Sequence, residues 1–328
     1  MLDNLRRLNH VLPLIVLFSG LSLTWISSGI NIALSTVFLI TTLFLLYLEV
    51  VTQLSFRAPM KRKPPLNDSN WTKVKHHVDG KIMVSHYFIK NTSAPTVFIC
   101  HGWTSGSQRM LGRAELFIQQ GYNVIMIDLP GHGESQSITK WTAEQSSTMV
   151  IDTLNQLYDM QPNLFNSRML IFGHSMGGFI SLRLSKRRKE LKMHSILSGW
   201  ITESPMTGYT EIFGETCNLL RIPSMLRPIV LKKSIRQFNA LNSATPDLMS
   251  LADVDCPEWG TFEEPTLLIQ ADPDERLGTS HYLRLQEVMQ ADSPSLLTSV
   301  LLDDLAHSGA AVHKGRDEVI RQWIQNEF

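Results

Sequence analysis

The sequence predicts an α/β fold: a mostly parallel central sheet with helices on both faces, a helical cap insertion and apolar helices at the N-terminus. From about residue 95, apolar segments of strand length alternate with segments of helical periodicity, which is typical of a parallel sheet buried on both faces. The strand-like segment 168–172 runs straight into a helix through Gly173-His174-Ser175-Met176-Gly177. The alternation stops between about residues 200 and 264, and no charged residue occurs from Val11 to Leu48.

The expected elements follow in chain order. Segments 71–78 and 81–90 flank Asp79-Gly80, a dipeptide typical of the tight turn of a β-hairpin. Further strands are expected at 95–100, 122–128, 168–172, 194–198, 265–270 and 296–302. Helices are expected at 108–120, 142–160, 280–290 and 310–326, with another directly after the Ser175 turn. Residues 200–264 contain scattered prolines and many large apolar side chains, which favours a mostly helical cap over a disordered loop.

The apolar N-terminus predicts a membrane anchor at 1–56. A helix needs about 20 residues to cross the hydrocarbon layer, and the uncharged stretch is long enough for two short spans, at about 11–26 and 30–51. Ser27-Ser28-Gly29 would form the turn between them. A single span and a cleaved signal peptide are the alternatives, although no convincing small-x-small cleavage site follows the stretch.

Basic residues lie on both sides of this anchor: Arg6 and Arg7 before it, and Arg57, Lys61, Arg62 and Lys63 after it. Under the positive-inside rule both ends face the cytoplasm, as a hairpin requires. Residues 57–70, with three prolines and this basic run, are expected to link the anchor to a globular domain at 71–328. We therefore expect the globular domain on the cytoplasmic side of a membrane.

Composition narrows the classes of function. The chain of 328 residues has 30 basic and 30 acidic side chains, which gives no sign of a nucleic-acid partner. Its three cysteines, Cys100, Cys217 and Cys256, form no C-x-x-C pair, so neither a zinc site nor a disulfide framework is indicated. No metal or organic cofactor is implied, and the sequence does not predict an oligomeric state.

Ser175 is the candidate nucleophile. A strand that passes into a helix through a turn this tight holds the serine backbone in a strained conformation, and small residues at 173 and 177 let the neighbouring chain pass. The turn presents the hydroxyl at the carboxyl end of the sheet, where ligands of parallel sheets bind. The N-terminal amides of the following helix point at the same place.

A serine hydroxyl needs a base to take its proton and an acid to orient that base. In a sheet of this kind both follow the serine in chain order, on loops after later strands. The loop after 265–270 contains Asp272 and Asp274, and the loop after 296–302 contains His307. We predict His307 as the base and Asp274 as the acid.

Several other residues compete for these roles. Asp272 follows its strand so closely that we expect it to cap the turn, and the Asp303-Asp304 pair is interpreted as turn-forming carboxylates. His313 is expected inside the last helix. His101 and His132 precede the serine in the chain, on other loops.

Two backbone amides are needed to stabilise the oxyanion of a tetrahedral intermediate. One should come from the residue after the nucleophile, Met176, and the other from the loop after an earlier strand. His101-Gly102-Trp103 follows the strand at 95–100, and the small Gly102 lets the backbone approach. We therefore predict the N–H groups of Trp103 and Met176 as the oxyanion hole. Their side chains are candidates either to line an acyl pocket or for ordinary packing.

Together these motifs resemble the α/β-hydrolase family, in its Gly-His-Ser-Met-Gly-Gly branch of esterases, monoacylglycerol-lipase-like enzymes and serine-aminopeptidase-like hydrolases. The resemblance covers about residues 75–328. It is carried by His101-Gly102, the stretch Asp128-Leu129-Pro130-Gly131-His132-Gly133-Glu134-Ser135, the Ser175 turn, Asp274 and His307. It implies that the stretch 128–135 is a structural turn near the active site. Ala271 and Ala306 depart from the family pattern, which usually has glycine three residues before the acid and often has glycine before the base.

The sequence therefore predicts a membrane-anchored serine hydrolase that cleaves carboxylic esters through an acyl-enzyme. The anchor and the apolar cap suggest an acyl or lipid-derived substrate. A thioesterase, an amidase and an acyltransferase would use the same triad. A non-catalytic ligand-binding member of the fold is the alternative of a different class, and it would predict a disrupted triad.

Overall fold

The computed structural model of the protein describes residues 2–59 and 63–328, with side chains described from Pro13 onward in the first helix. The side chains of Arg6 and Arg7, and residues Lys61 and Arg62, lie outside the described part, so the predicted charge flanks are only partly represented. The chain forms two compact units. The hairpin unit comprises Met1–Arg57 and Thr210–Leu251, and the sheet unit comprises Ala58–Tyr209 and Ala252–Phe328.

The sheet unit is built on an eight-stranded sheet. Its strands are β1 Thr72–Val78, β2 Lys81–Phe88, β3 Thr96–Cys100, β4 Asn123–Asp128, β5 Met169–His174, β6 Leu197–Glu203, β7 Thr266–Ala271 and β8 Leu297–Leu302. Their order across the sheet is β1-β2-β4-β3-β5-β6-β7-β8. β2 runs antiparallel to both of its neighbours, and the other neighbouring strands are parallel. The carboxyl ends of β3 to β8 therefore meet at one edge of the sheet.

The described helices in chain order are α1 Leu2–Ser28, α2 Ile32–Leu54, α3 Ser107–Gln119, α4 Ala143–Met160, α5 Met176–Lys186, α6 Thr210–Leu219, α7 Arg227–Leu241, α8 Ser280–Asp292 and α9 Lys314–Glu327. In the sheet unit, Val97, Val124 and Leu170 share a buried core with side chains of α3 and α9. Phe98 and Ile125, one position out of phase on their strands, point to the other face and are equally buried. Burial on both faces agrees with the near-continuous apolar strands of the sequence.

The expected elements are present, with three corrections. The hairpin turn at Asp79 and Gly80 has positive φ at both residues, 47° and 67°, as such turns require. The strand expected at 194–198 was placed too early, because β6 pairs with β5 and β7 up to Glu203. His313 is not inside the last helix: it is the N-cap of α9, and its ring accepts a hydrogen bond from the Arg316 N–H. The third correction concerns the cap, since its helices α6 and α7 lie within 210–251 and residues 252–264 belong to the sheet unit.

In the hairpin unit, α1 and α2 pack as an antiparallel pair. A Cβ on Gly20 would lie 2.0 Å from Thr42 Oγ1, so the two helices approach closely at this glycine. Ser35 Oγ donates to the Thr24 carbonyl at 3.0 Å. Many large apolar side chains of both helices are exposed, among them Trp25 and Ile32, at 79% and 80%.

One of these helices meets the length and composition of a membrane span. Among the described residues, α2 is long and apolar enough to cross a membrane, whereas the apolar segment Pro13–Ser28 of α1 is shorter.

Helices α6 and α7 pack around the C-terminal end of α2. Leu48 and Val51 of α2 form a buried cluster with Cys217, Ile222 and Val230. An ion pair adds to this contact, because the Lys233 ammonium lies 2.9 Å from the Glu49 carboxylate, whose side chain is only 4% exposed. The predicted cap and the predicted anchor therefore belong to one compact unit.

Candidate active site

The turn after β5 places Ser175 at the carboxyl edge of the sheet. Ser175 has a φ of 54°, in a region that residues other than glycine rarely adopt. Its N–H donates to the Glu203 carbonyl on β6 at 3.0 Å, and its carbonyl accepts from the Met206 N–H at 3.1 Å. These bonds hold the strained turn in a fixed position beside β6.

Close backbone packing explains the glycines on both sides of Ser175. A Cβ on Gly177 would lie 2.1 Å from the Cys100 carbonyl oxygen at the end of β3, and one on Gly173 would lie 2.6 Å from the Gly177 carbonyl oxygen. The start of α5 therefore lies directly against the end of β3. The loop after β3 reaches Ser175 as a result, since a Cβ on Gly102 would lie 3.1 Å from the Ser175 Cβ.

His307 and Asp274 form a hydrogen-bonded chain with Ser175. His307 Nε2 lies 3.0 Å from Ser175 Oγ, and His307 Nδ1 lies 2.8 Å from Asp274 Oδ2. The histidine comes from the loop after β8 and the aspartate from the loop after β7. An ionised carboxylate only accepts hydrogen bonds, so Nδ1 carries the proton and Nε2 is left to accept from the serine hydroxyl.

Asp274 is held in its ionised form. Burial by itself would raise the pKa of Asp274, but the hydrogen bonds from His307 and from the backbone N–H groups of Leu277 and Arg276 outweigh burial and hold the pKa below its usual value. Both backbone bonds go to Oδ1 and measure 2.9 Å. Gln270, at the end of β7, donates through Nε2 to Oδ2 at 2.9 Å. The carboxylate is thus oriented from three sides.

The competing acids lie elsewhere. Asp272 is exposed, and so are Asp303 and Asp304. Asp304 Oδ1 lies 3.3 Å from His313 Nε2, so these two candidates pair with each other. None of the three appears among the hydrogen-bond partners of His307 in the described part of the chain.

His132 holds the loop after β3. Its Nδ1 donates to the Pro130 carbonyl at 3.1 Å, and its Nε2 accepts from the Thr104 N–H at 3.1 Å. Burial lowers the pKa of His132 to about 3, so the ring is neutral and can donate at one nitrogen and accept at the other. Thr104 has a φ of 56°, and this bond helps to hold that conformation.

His101 links the same loop to the turn after β4. Its Nδ1 donates to the Gly102 carbonyl at 2.8 Å, and its Nε2 accepts from the Leu129 N–H at 3.0 Å. Burial also lowers the pKa of His101. Asp128 ties this turn to the start of α3, because its Oδ1 accepts from both the N–H and the hydroxyl of Ser107 at 2.8 Å. These bonds agree with the structural role that the resemblance implies for 128–135.

The two predicted oxyanion amides belong to Met176, which follows Ser175 in the chain, and to Trp103, which follows the Gly102 that lies beside Ser175. Met176 is the first residue of α5, where the helix N–H groups have no partner within the helix. Within the described part of the chain, neither the Trp103 N–H nor the Met176 N–H donates a hydrogen bond. The Trp103 ring, 37% exposed, packs edge-on against Trp141 with 4.5 Å between ring centroids.

The sequence did not predict the contact between His174 and His307. His174 Nε2 donates to the backbone carbonyl of His307 at 2.9 Å. Burial lowers the pKa of His174 to about 4, which keeps the ring neutral at neutral pH. The position of His174 directly before Ser175 was the one available signal. The hydrogen bond from His174 fixes the backbone of His307.

A buried ionic cluster behind the site was also missed. Glu203, at the end of β6, accepts from Arg113 of α3 through both carboxylate oxygens, and Arg316 of α9 lies 3.4 Å from its Oε2. Burial by itself would raise the pKa of Glu203, but Arg113 and the other nearby positive charges outweigh burial and lower it to about 2. Arg316 Nη1 also donates to the Ala310 carbonyl at 2.7 Å, on the segment that follows His307. The cluster therefore joins α3 and α9 to the segment that follows His307.

In the part of the chain that the structure describes, no three His, Cys, Asp or Glu side chains are grouped so as to hold a metal ion.

Comparisons with known proteins agree with this fold. Residues 91–250 match the family model described as serine aminopeptidase, S33 (Hydrolase_4). An esterase of Pyrococcus furiosus superposes with a TM-score of 0.58 at 17% identity, over 83% of this chain and 99% of that chain. The alpha/beta hydrolase domain-containing protein 10 from mouse gives a TM-score of 0.54 at 14% identity, over 78% of this chain and 99% of that chain. The chain therefore has the α/β-hydrolase fold.

Curated relatives of this chain match over a shorter region. The (E)-2-((N-methylformamido)methylene)succinate hydrolase of Acinetobacter baylyi is 30% identical over 116 residues, which are 35% of this chain and 41% of the relative. The pimeloyl-[acyl-carrier protein] methyl ester esterase of Nitrosomonas europaea is 25% identical over 115 residues, again 35% and 41%. The chain thus spans less than half the length of these relatives.

The buried cluster gives a stability prediction for Glu203→Gln. The substitution leaves Arg113 buried without a counter-charge, whereas Arg316 keeps the Asp317 carboxylate at 2.6 Å. Loss of one partner of a buried ion pair costs about 3–5 kcal/mol in the free energy of unfolding. The pKa of Glu203 is lowered from 4.5 to about 2 in the folded protein, so its stabilisation is present above about pH 4.5 and disappears as pH falls toward 2. The Glu203→Gln variant should therefore lose the part of the pH dependence of stability that comes from Glu203.

Thermal unfolding of the full chain in detergent, followed between pH 2 and pH 7, measures both effects. Glu318→Gln is the matched control, because its ion pair with Arg321 at 3.1 Å lies on the surface and contributes at most about 1 kcal/mol. Equal losses of stability in the two variants would contradict the importance of the buried cluster.

Proposed function

We propose that this chain is a serine hydrolase that cleaves carboxylic esters through an acyl-enzyme on Ser175. The observation that carries the proposal is the unbroken chain of hydrogen bonds from Ser175 through His307 to Asp274. Each member has the protonation state that the reaction needs: an acceptor nitrogen faces the hydroxyl, and a carboxylate faces the opposite N–H.

The reaction would proceed in two stages. Ser175 Oγ attacks the ester carbonyl carbon while His307 Nε2 takes the hydroxyl proton, and the ionised Asp274 stabilises the imidazolium that forms. His307 then gives this proton to the departing alcohol, which leaves the acyl group on Ser175. A water molecule, deprotonated by His307, attacks the acyl-enzyme and releases the carboxylic acid and the free serine.

The oxyanion formed at each stage needs hydrogen-bond donors that are already in place. We assign this role to the N–H groups of Met176 and Trp103. Met176 offers its amide at the N-terminus of α5, where the helix dipole also favours negative charge. The Trp103 amide belongs to the loop that His132 restrains through Thr104. Each donor should contribute on the order of 3 kcal/mol to stabilisation of the transition state.

An ester is the substrate class that the similar proteins favour. The similar proteins of Pyrococcus furiosus and Nitrosomonas europaea are both named as esterases. Exposed aromatic surface at Trp103, next to Trp141, is suited to contact an apolar acyl group. A serine triad also attacks thioesters and amides, so a test of the proposal compares an ester, a thioester and an amide with the same acyl group.

Replacing Ser175 with alanine should abolish turnover. Loss of the nucleophile typically lowers kcat by about 10⁴–10⁶, and a fluorophosphonate probe should no longer label the chain. Matched acyl ester, thioester and anilide substrates would be assayed with the purified full chain. Ser198→Ala, on β6, is the control and should keep full activity and labelling, since its hydroxyl bonds to the nearby Ile196 carbonyl. Hydrolysis of all three substrates at an undiminished rate in Ser175→Ala would refute the proposed mechanism.

Substituting the two candidate acids separates their roles. Asp274→Asn removes the charge that faces His307 and permits the wrong tautomer of the ring, so kcat should fall by about 10⁴. Asp272→Asn is the matched control two residues away, and it should change kcat little because Asp272 is exposed. Steady-state kinetics on the ester of the series measures both. A large loss in Asp272→Asn with none in Asp274→Asn would move the acid to Asp272.

We also propose that α1 and α2 anchor the protein in a membrane. The length and composition of α2 support this, and so do the exposed apolar side chains along both helices, which a buried core helix would not leave uncovered. Close packing at Gly20 and Thr42 is typical of helices that associate in lipid. Arg57 and Lys63, directly after α2, favour a cytoplasmic position for that end.

This anchor predicts both extraction and topology. The full chain should remain with membranes after an alkaline carbonate wash. A C-terminal tag should be digested by protease in inside-out vesicles and protected in right-side-out vesicles. The reverse protection pattern would place the hydrolase domain on the opposite side, and release by carbonate would exclude the anchor.

A further inference from the structure

The depth of α2 in a membrane determines where the insertion helices lie. The hydrocarbon layer is about 30 Å thick and needs about 20 helical residues. Counted from Ile32, the first residue of α2, such a span ends near Val51. Leu48 and Val51 are the two α2 residues that pack with Cys217, Ile222 and Val230. The insertion therefore contacts α2 at the boundary between hydrocarbon and headgroups.

A charged contact fixes this depth. The Glu49 side chain is 4% exposed and would be costly at the edge of the hydrocarbon without a counter-charge. Lys233 of α7 supplies that charge at 2.9 Å. Helix α7 is thus held at the level of Glu49, two residues before the end of the expected span.

The side of α7 away from Val230, together with the turn that precedes the helix, is exposed and amphipathic. Val230 faces α2, whereas Met225, Ile229, Lys232 and Arg236 recur at intervals of four, three and four residues and are exposed. Met225 is 80% exposed and Ile229 43%. We call this set the outer face of the cap.

The surroundings of the outer face add apolar area and positive charge. Leu219, at the end of α6, is 82% exposed. Between Glu215 and Asp247 the sequence contains five basic residues and no acidic one. A surface of exposed apolar side chains with an excess of basic charge matches the interfacial layer of an anionic bilayer. The same charge disfavours a second copy of this chain as the partner, since like charges would face each other.

We propose that the outer face of the cap is a second membrane-contact surface, which inserts Leu219, Met225 and Ile229 among lipid headgroups and places Lys232 and Arg236 against anionic phosphates. This inference rests on the proposed membrane anchor and not on the proposed chemistry at Ser175.

A fluorescent label on the outer face tests the proposal. The full-length chain with Met225→Cys, labelled with a nitrobenzoxadiazole thiol reagent, is reconstituted into vesicles of phosphatidylcholine with phosphatidylglycerol. Cys100, Cys217 and Cys256 are buried, so the reagent should select the introduced thiol, and the unsubstituted chain checks this. Met160→Cys, 52% exposed at the end of α4, is the matched control.

The label at position 225 should show a blue-shifted emission that doxyl-labelled lipids quench, and the label at 160 should show neither. Lys232→Gln and Arg236→Gln should each lower the ratio of docked to undocked label about five-fold in anionic vesicles. Lys189→Gln, an exposed position of the sheet unit, should leave the ratio unchanged.

Several outcomes would overturn the proposal. Unquenched emission at 225 equal to that at 160 would show that the outer face stays in water. A blue shift that depends on protein concentration and resists lipid quenching would assign the face to self-association. Failure of the chain to float with vesicles after an alkaline wash would instead refute the anchor. Because neither fluorescence nor flotation requires hydrolysis, an inactive Ser175 would leave both readouts intact.

Discussion

The candidate site depends on one steric constraint, the contact between the start of α5 and the end of β3. No side chain fits between Gly177 and the Cys100 carbonyl, so the two backbones touch. This contact sets the sharp turn at Ser175 and brings the loop containing Gly102 within reach of the nucleophile. A bulkier residue at 177 would separate β3 from α5. The hydroxyl and the amides proposed to serve it would then no longer share one location.

The four histidines at the candidate site differ in their surroundings. His101, His132 and His174 are buried, burial lowers the pKa of each, and each ring holds a backbone carbonyl or N–H in place. His307 alone among these four bonds to both a carboxylate and the serine hydroxyl. Three histidines can therefore act as fixed structural bonds at neutral pH while the fourth is placed to exchange a proton. The division of roles comes from burial and partners, not from residue type.

Much of this arrangement could be predicted from the sequence, because parallel strands end at the same edge. Ser175, Asp274 and His307 each follow an apolar strand, and that rule alone brings them together. The interactions that were missed join distant positions without any local pattern. Glu203 lies in a strand and is paired with Arg113, 90 positions away, and a buried carboxylate makes its segment unlike an apolar strand. For the same reason the predicted strand at 194–198 stopped before Glu203. The packing of α7 against α2 includes the ion pair between Lys233 and Glu49. These two residues lie 184 positions apart, so no rule based on sequence spacing could predict their contact.

The shared packing of α2 and the insertion has a practical consequence for preparing the protein. A chain shortened to begin after Arg57 would lose Leu48, Glu49 and Val51. It would then expose Cys217, Ile222 and Val230 to water and leave Lys233 without its carboxylate. Aggregation of such a fragment would reflect the loss of Leu48 and Val51 from the buried cluster around α2 and not a failure of the sheet to fold. Purification of the intact chain in detergent or lipid discs is therefore the physically sound route to an active preparation.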